Sequence, residues 1–230
     1  MMTQSRRHTL ANEEGGMKKN IVITIARQYG SGGRTVGEML AENLGIHYYD
    51  KELMKLAAEE SGIAEKLFVN ADENISKKNP LLMKIMKSEY KGKTMPPESS
   101  DYTKMENLFN LQADVIRKLA ETEPCVIVGR AANFVLKDCD NSVSVFVHAP
   151  HDFLMAEAAK KQPMRGRELE KFIEKTDNKK AEYYKYYTGR EWNDAREYDL
   201  CLDSERLGYY KCVEEIKAYI KVRFGEDVFD

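Results

Sequence analysis

The sequence holds little excess of either charge: thirty-six Lys plus Arg against thirty-eight Asp plus Glu leave a formal net charge of -2. A chain-wide basic field of the kind that draws proteins onto nucleic acid is absent, so no nucleic-acid partner is expected without a local patch. Close cysteine pairs are missing too. Cys125, Cys139, Cys201 and Cys212 never come nearer than eleven residues in sequence, which excludes C-x-x-C and zinc-knuckle spacings and makes them read as reduced core thiols. No apolar run approaches the roughly 18 residues a membrane span needs, and the first nineteen residues lack the apolar centre of a secretory signal. The expected address is the cytoplasm, with no membrane partner. There is neither an internal repeat nor a low-complexity tract.

What is present suits one folded unit. Of the 230 residues, 42% are hydrophobic, 32% charged and 10% aromatic, enough apolar material for one sizeable core. The length fits one domain, or one domain with a large insertion. The polar opening MMTQSRRHTLANEEGG ends in Gly15-Gly16 before Met17. Residues 1–19 therefore read as a disordered extension or an upstream start, and 20–230 as the domain.

Asn20-Ile21-Val22-Ile23-Thr24-Ile25-Ala26 is rich in β-branched residues, as a strand buried on both faces of a parallel sheet should be. After a glycine-rich turn the period changes: Val36, Leu40 and Leu44 recur every four residues, and Gly45 follows as a helix stop. His47-Tyr48-Tyr49 is a short extended piece ending at Asp50, a residue able to cap the helix that carries Leu53, Met54, Ala57 and Ala58. Residues 63–90 are helical in composition, 92–101 are breakers and polar residues that suggest an exposed connection, and a helix is expected from about Tyr102 to Glu121. Three further strands are expected at Cys125–Val128, Val143–Val147 and Tyr198–Leu202, each followed by a helical pattern. Such alternation implies right-handed crossovers and an α/β fold with a central, mostly parallel sheet. Glu168 to Tyr187, dense in Lys, Glu and Tyr, predicts a long helix with a wet face.

Tyr29-Gly30-Ser31-Gly32-Gly33-Arg34-Thr35 lies between the first strand and the first helix. Glycines let the backbone wrap an anion with several N–H groups pointing inward, and the positive end of the following helix adds to the pull. Against G-x-x-x-x-G-K-[ST], Gly33 fits the second glycine, Arg34 takes the lysine place, Thr35 fits the hydroxyl place, and Gln28 stands where the first glycine belongs. Arginine still neutralises phosphate, through a planar fork. The competing reading is a tight strand-to-helix turn.

Ile23 through Arg34 resembles the opening of the cytidylate kinase-like proteins, in which arginine commonly stands in the lysine position. The likeness continues through Gly45 to Leu53, through Val126-Ile127-Val128-Gly129-Arg130-Ala131-Ala132, through Tyr183 to Gly189 and Trp192, and through Tyr198-Asp199-Leu200. It implies a three-layer P-loop NTPase fold of the nucleoside monophosphate kinase kind, with a helical acceptor-side insertion at about 51–121 and a helical lid at about 151–192. The chemistry implied is transfer of the γ-phosphoryl group of ATP, with Mg2+, to a nucleoside monophosphate such as CMP or dCMP, by a monomer or homodimer. On that resemblance Gly30, Ser31, Gly32, Gly33, Arg34 and Thr35 hold the ATP phosphates, and the Thr35 hydroxyl ligates magnesium. Asp50 resembles the acidic residue beside the acceptor nucleotide, the alternative being a helix cap. Arg130 resembles the arginine that holds the acceptor phosphate, the alternative being a structural ion pair.

In the expected lid the sequence departs from the family. After Ala149-Pro150 the helix carries Leu154 and Glu157 where arginines are usual, and Lys180 stands for another. Arg165, Arg167 and Arg190 are candidates to compensate. A second hypothesis follows: a slow kinase or a non-catalytic nucleotide-binding sensor of the same fold. A kinase of a different small acceptor is a third. His148 and His151 make a poor metal pair because Pro150 prevents a helical i, i+3 geometry. Tyr183, Tyr184, Tyr186 and Tyr187 beside lysines could stack bases, but side chains so spaced on a helix cannot all face one ligand. They are expected to pack the lid helix on the core and to line the donor site. Lys77 to Lys93 reads as a solvated face.

Overall fold

The computed structural model describes residues 20–68 and 105–229. The expected N-terminal extension lies outside the described residues, as do most of the 63–90 helical stretch, the 92–101 connection and the basic stretch from Lys77 to Lys93.

The first strand, β1 (Val22–Arg27), is the centre of the molecule. Alternate side chains leave it on opposite faces. Ile21, Ile23 and Ile25 enter one core with Val36 and Leu40 of α1 (Gly33–Leu44) and with Val213, Ile216 and Ile220 of the C-terminal helix. Val22 and Ala26 enter the other core with Ile127, Phe146, Phe109 and Ile116. Both faces being covered, a nearly continuous apolar run is what the strand needs.

The strands β2 (His47–Tyr49), β3 (Cys125–Val128), β4 (Ser142–His148) and β5 (Leu200–Asp203) complete a five-stranded parallel sheet in the order β2-β3-β1-β4-β5. Ile23 is opposite Val126 on one side and Val143 on the other. Strand order therefore reverses about β1, and in open α/β sheets the crevice for ligands opens at the carboxyl ends of strands at that reversal. The glycine loop leaves β1 there.

α1 stops where the sequence indicates: Gly45 adopts φ 63°, and the Ile46 N–H donates to Ala41 O at 3.0 Å, the left-handed closure that glycine favours. Two helices follow at α2 (Glu52–Ser61) and α3 (Met105–Thr122), and one turn, α4 (Ala132–Val135), follows β3. The expected lid supplies α5 (His151–Lys161) and the long α6 (Gly166–Thr188). Phe109 of α3 stacks on Tyr187 of α6 with centroids 4.1 Å apart, and the Tyr186 hydroxyl donates to Glu106 at 2.5 Å. The tyrosines thus fasten α6 to α3. Finally α7 (Ser204–Phe224) is broken at Gly208, whose φ of 71° and ψ of 160° are not helical.

Two expectations are corrected. Cys125 and Cys212 are buried thiols, but Cys201, on the edge strand β5, is exposed and Cys139, in the turn before β4, is half-buried. β5 also begins later than expected. Tyr198 instead packs its ring 5.0 Å from Phe146, while the Asp199 carboxylate accepts from the Ser144 N–H at 2.8 Å.

Candidate active site

The loop after β1 is fixed at both ends. Gln28, in the place of the missing first glycine, accepts the Ala149 N–H on its Oε1 at 3.1 Å, and its carbonyl accepts the Ser31 hydroxyl at 3.0 Å. Gly30 and Gly32 have φ of 89° and 76°. Neither has room for a side chain: a Cβ on Gly30 would stand 2.5 Å from the Leu154 carbonyl oxygen, and one on Gly32 would collide with the Tyr209 ring. Gly32 caps α1 without a side-chain bond, and the Val36 N–H is the first to close back, onto Gly32 O at 2.9 Å. The amides of residues 33–35 thus have no helical carbonyl behind them, at the positive end of the helix dipole. Thr35 is half-buried in that first turn.

Arg34 leaves the same turn and meets Asp50, with Nε 2.8 Å from Oδ2. Asp50 does not cap α2, contrary to the capping alternative: the cap position is Lys51, without a side-chain bond. Among the described residues Asp203 is an acid that does cap an α-helix, accepting from the N–H groups of Glu205 and Arg206 at the start of α7. Asp50 is instead drawn to the guanidinium groups, with Arg27 Nη2 3.9 Å from its Oδ1.

Arg27, the last residue of β1, reaches the site by a slot made of absent side chains. A Cβ on Gly33 would collide with its stem, and one on Gly129 would stand 2.6 Å from its Nη1. Beyond β3 the backbone runs left-handed for three residues, with φ of 80° at Gly129, 61° at Arg130 and 51° at Ala131. Such a conformation costs a non-glycine residue about 1–2 kcal/mol, and strain of this kind collects at functional sites.

These residues surround a cavity of about 220 Å³. Among the described residues its charged lining is Arg27, Arg34, Arg130, Lys179 and Lys180 with the carboxylate of Asp50, and Asn133, Tyr183, Tyr184 and Trp192 line it as well. All four residues expected to act in transfer, Arg34, Asp50, Arg130 and Lys180, meet at this one cavity. Lys180 Nζ donates to Asp177 at 2.8 Å and to the Arg27 carbonyl at 3.1 Å. The same Asp177 Oδ1 accepts the Tyr29 N–H at 2.9 Å, with Oδ2 at 3.2 Å from it, so α6 is tied to the start of the loop. Burial, outweighing the attraction of Asp177, pulls the Lys180 pKa down to about 8, with the neighbouring Arg27 and Arg34 acting in the same direction. Burial likewise lowers Arg27 to about 10 against the pull of Asp50, with Arg34 and Arg130 adding to the fall.

Several expectations are not met here. Arg165, Arg167 and Arg190 do not line the cavity. Arg165 bonds the carbonyls of Gln162 and Met164, and Arg190 pairs with Glu197 at 2.7 Å. Tyr183 and Tyr184 line the cavity with Arg34 and Arg130, while Tyr186 and Tyr187 are buried against α3 and do not. Among the described residues no group of three or more His, Cys, Asp or Glu could hold a metal ion. Arg27, Lys179 and Asp177 went unrecognised as parts of the site. A cation at the buried end of a central strand was the one available signal for Arg27.

Residues 22–206 match the cytidylate kinase-like family. The chain belongs to that family. No curated protein matches it. Among solved structures it is similar to an uncharacterized protein from Eubacterium ventriosum ATCC 27560, at 25% identity and a TM-score of 0.64, covering 87% of this chain and 98% of that one. A shikimate kinase from Acinetobacter baumannii, in complex with shikimate, matches at 12% identity and a TM-score of 0.47 over 90% of this chain and 96% of its own. A gluconokinase from Sinorhizobium meliloti 1021 matches at 15% and 0.47 over 91% and 96%. The cytidylate kinase-like match spans the glycine loop, Asp50, Arg130 and Lys180 alike, so each of the four residues at the cavity lies inside it.

Proposed function

We propose that this chain transfers the γ-phosphoryl group of ATP to a nucleoside monophosphate, with CMP or dCMP the first acceptors to try. The observation that carries the reading is the convergence of five cationic side chains and one carboxylate on a cavity beside the glycine loop. Phosphoryl transfer asks for cations on spreading charge, two substrates in line, and exclusion of water.

The free amides of the loop and first turn of α1 hold the β- and γ-phosphates, and Arg34 neutralises them from the lysine place. Asp50 holds Arg34 in plane and borders the acceptor. Arg130, presented by the left-handed run, takes the acceptor phosphate, and Lys180 covers the same cavity from α6. An oxygen of the acceptor phosphate forms the new bond to the γ-phosphorus while the bond to the bridging oxygen breaks, its electron pair leaving on ADP. An ionised phosphate has no proton to lose, so the step needs no protein base. Thr35 and Asp50 supply hard oxygens of the kind magnesium accepts beside substrate phosphates, and one or two such ligands suffice. When bound, the ion neutralises charge on the β- and γ-oxygens.

A second reading is a nucleotide-binding module with slow or no turnover. It is favoured by Leu154 and Glu157, which bring no cation to the loop from α5, and by the Tyr209 hydroxyl 3.3 Å from Glu157 beside Gly32. Coupled ADP release with a panel of ribo- and deoxynucleoside monophosphates separates the two. Turnover with CMP or dCMP supports the kinase; ATP binding without turnover supports the module.

A further inference from the structure

We infer that Arg27 is a fixed oxyanion contact of the cavity, a substrate-phosphate ligand supplied by the end of β1 and not by the lid helices. The structure provides three independent grounds. First, the guanidinium is largely enclosed, at 15% exposure, yet donates no side-chain hydrogen bond among the described residues: its ion pair is with Asp50 at 3.9 Å, beyond hydrogen-bond reach. Asp50 is already held by Arg34 at 2.8 Å, so a structural ion pair does not account for Arg27. A guanidinium has five N–H donors, and enclosing them unmet is costly.

Second, the slot is specific to this side chain. Gly33 on the loop side and Gly129 on the acceptor side both lack the Cβ that would fill it. The guanidinium is thereby held between the two loops that would carry the two substrates, with no movement of α5 or α6 required. Its own carbonyl meanwhile accepts from Lys180.

Third, its neighbours are of like charge. Arg34, Arg130 and Lys180 line the same cavity, Arg34 paired with Asp50 and Lys180 with Asp177, and a tetrahedral anion there would meet the Arg27 donors that neither carboxylate reaches. Two parallel N–H donors match two oxygens of a phosphate. The inference rests on the phosphotransfer reading only for the source of that phosphate.

The test is calorimetric titration of inorganic pyrophosphate, and separately of MgATP, into wild type, Arg27→Met and Arg27→Lys, with thermal melts of each. Methionine fills the slot and removes an enclosed charge, so its melting temperature is held or raised, while pyrophosphate affinity falls at least tenfold. Lysine keeps the charge without the fork, and affinity falls at least fivefold. Wild-type pyrophosphate affinity in either folded variant overturns the inference, and where Arg27→Met does not fold, Arg27→Lys decides alone. A wild type that binds MgATP but not pyrophosphate also overturns it, leaving the proposed function standing. A wild type that binds neither removes both.

Discussion

Arg34 Nε stands 2.8 Å from Asp50 Oδ2, so the cation in the phosphate-binding place is joined to the carboxylate at the end of β2. The pair bridges the loop and the far side of the cavity. Asp50→Asn keeps the shape and removes the counter-charge. Pyrophosphate binding should then tighten, since Arg34 and Arg27 lose their counter-charge, while turnover should fall at least tenfold because Arg34 loses its orientation. Calorimetry and steady-state rates on the same preparation check both directions.

Gly33 and Gly129 wall the Arg27 slot. Gly33→Ala forces a methyl against the Arg27 stem, with Val147 Cβ 3.2 Å away on another strand. Overpacking of this kind costs about 1–3 kcal/mol. Gly129→Ala adds a left-handed residue at φ 80° to the collision with Nη1, so it should be the more damaging to MgATP affinity. Chemical denaturation and nucleotide titration of the two variants provide the comparison.

Lys180 has its pKa lowered from the ordinary 10.5 to about 8. The sign follows directly. Charging this amine is disfavoured in the folded state, so between about pH 8 and 10.5 the unfolded chain binds more protons and stability from this group rises with pH. Anion binding moves the other way: phosphate affinity should weaken as pH rises through about 8 and the amine loses its charge. In Lys180→Arg that break should vanish, which pyrophosphate titrations at pH 7, 8 and 9 will read.

Phe109, 3% exposed, stacks on Tyr187 across α3 and α6. Phe109→Ala should destabilise by about 3–5 kcal/mol. The residue is away from the loop, so the folded fraction should keep its MgATP affinity. Denaturant unfolding with nucleotide binding under native conditions separates the two effects.

Much of the frame was legible in sequence because it follows from local pattern. The Cys125–Val128 run became β3 residue for residue, since a strand buried on both faces requires four apolar residues in succession. Gly45 ended α1 because a left-handed closure asks for glycine. The site was legible where a motif gathers it, at Gly30 to Thr35. It was illegible where distance in sequence decides. Arg27 reads as the end of a strand until Gly129, 102 residues on, shows the space made for it. Asp50 reads equally as a site acid or a cap until Arg34 is seen to turn toward it. Arg165 and Arg190 read as substitutes for lid cations, but each finds its partners locally. Helical spacing showed that the tyrosines diverge, though not which of them meet α3.

The most direct test of the central claim is a calorimetric titration of MgATP into the wild-type chain and into Arg34→Ala. The account predicts saturable heat for the wild type and at least tenfold weaker binding for the variant. An absence of heat, or equal affinity in the two proteins, would contradict it.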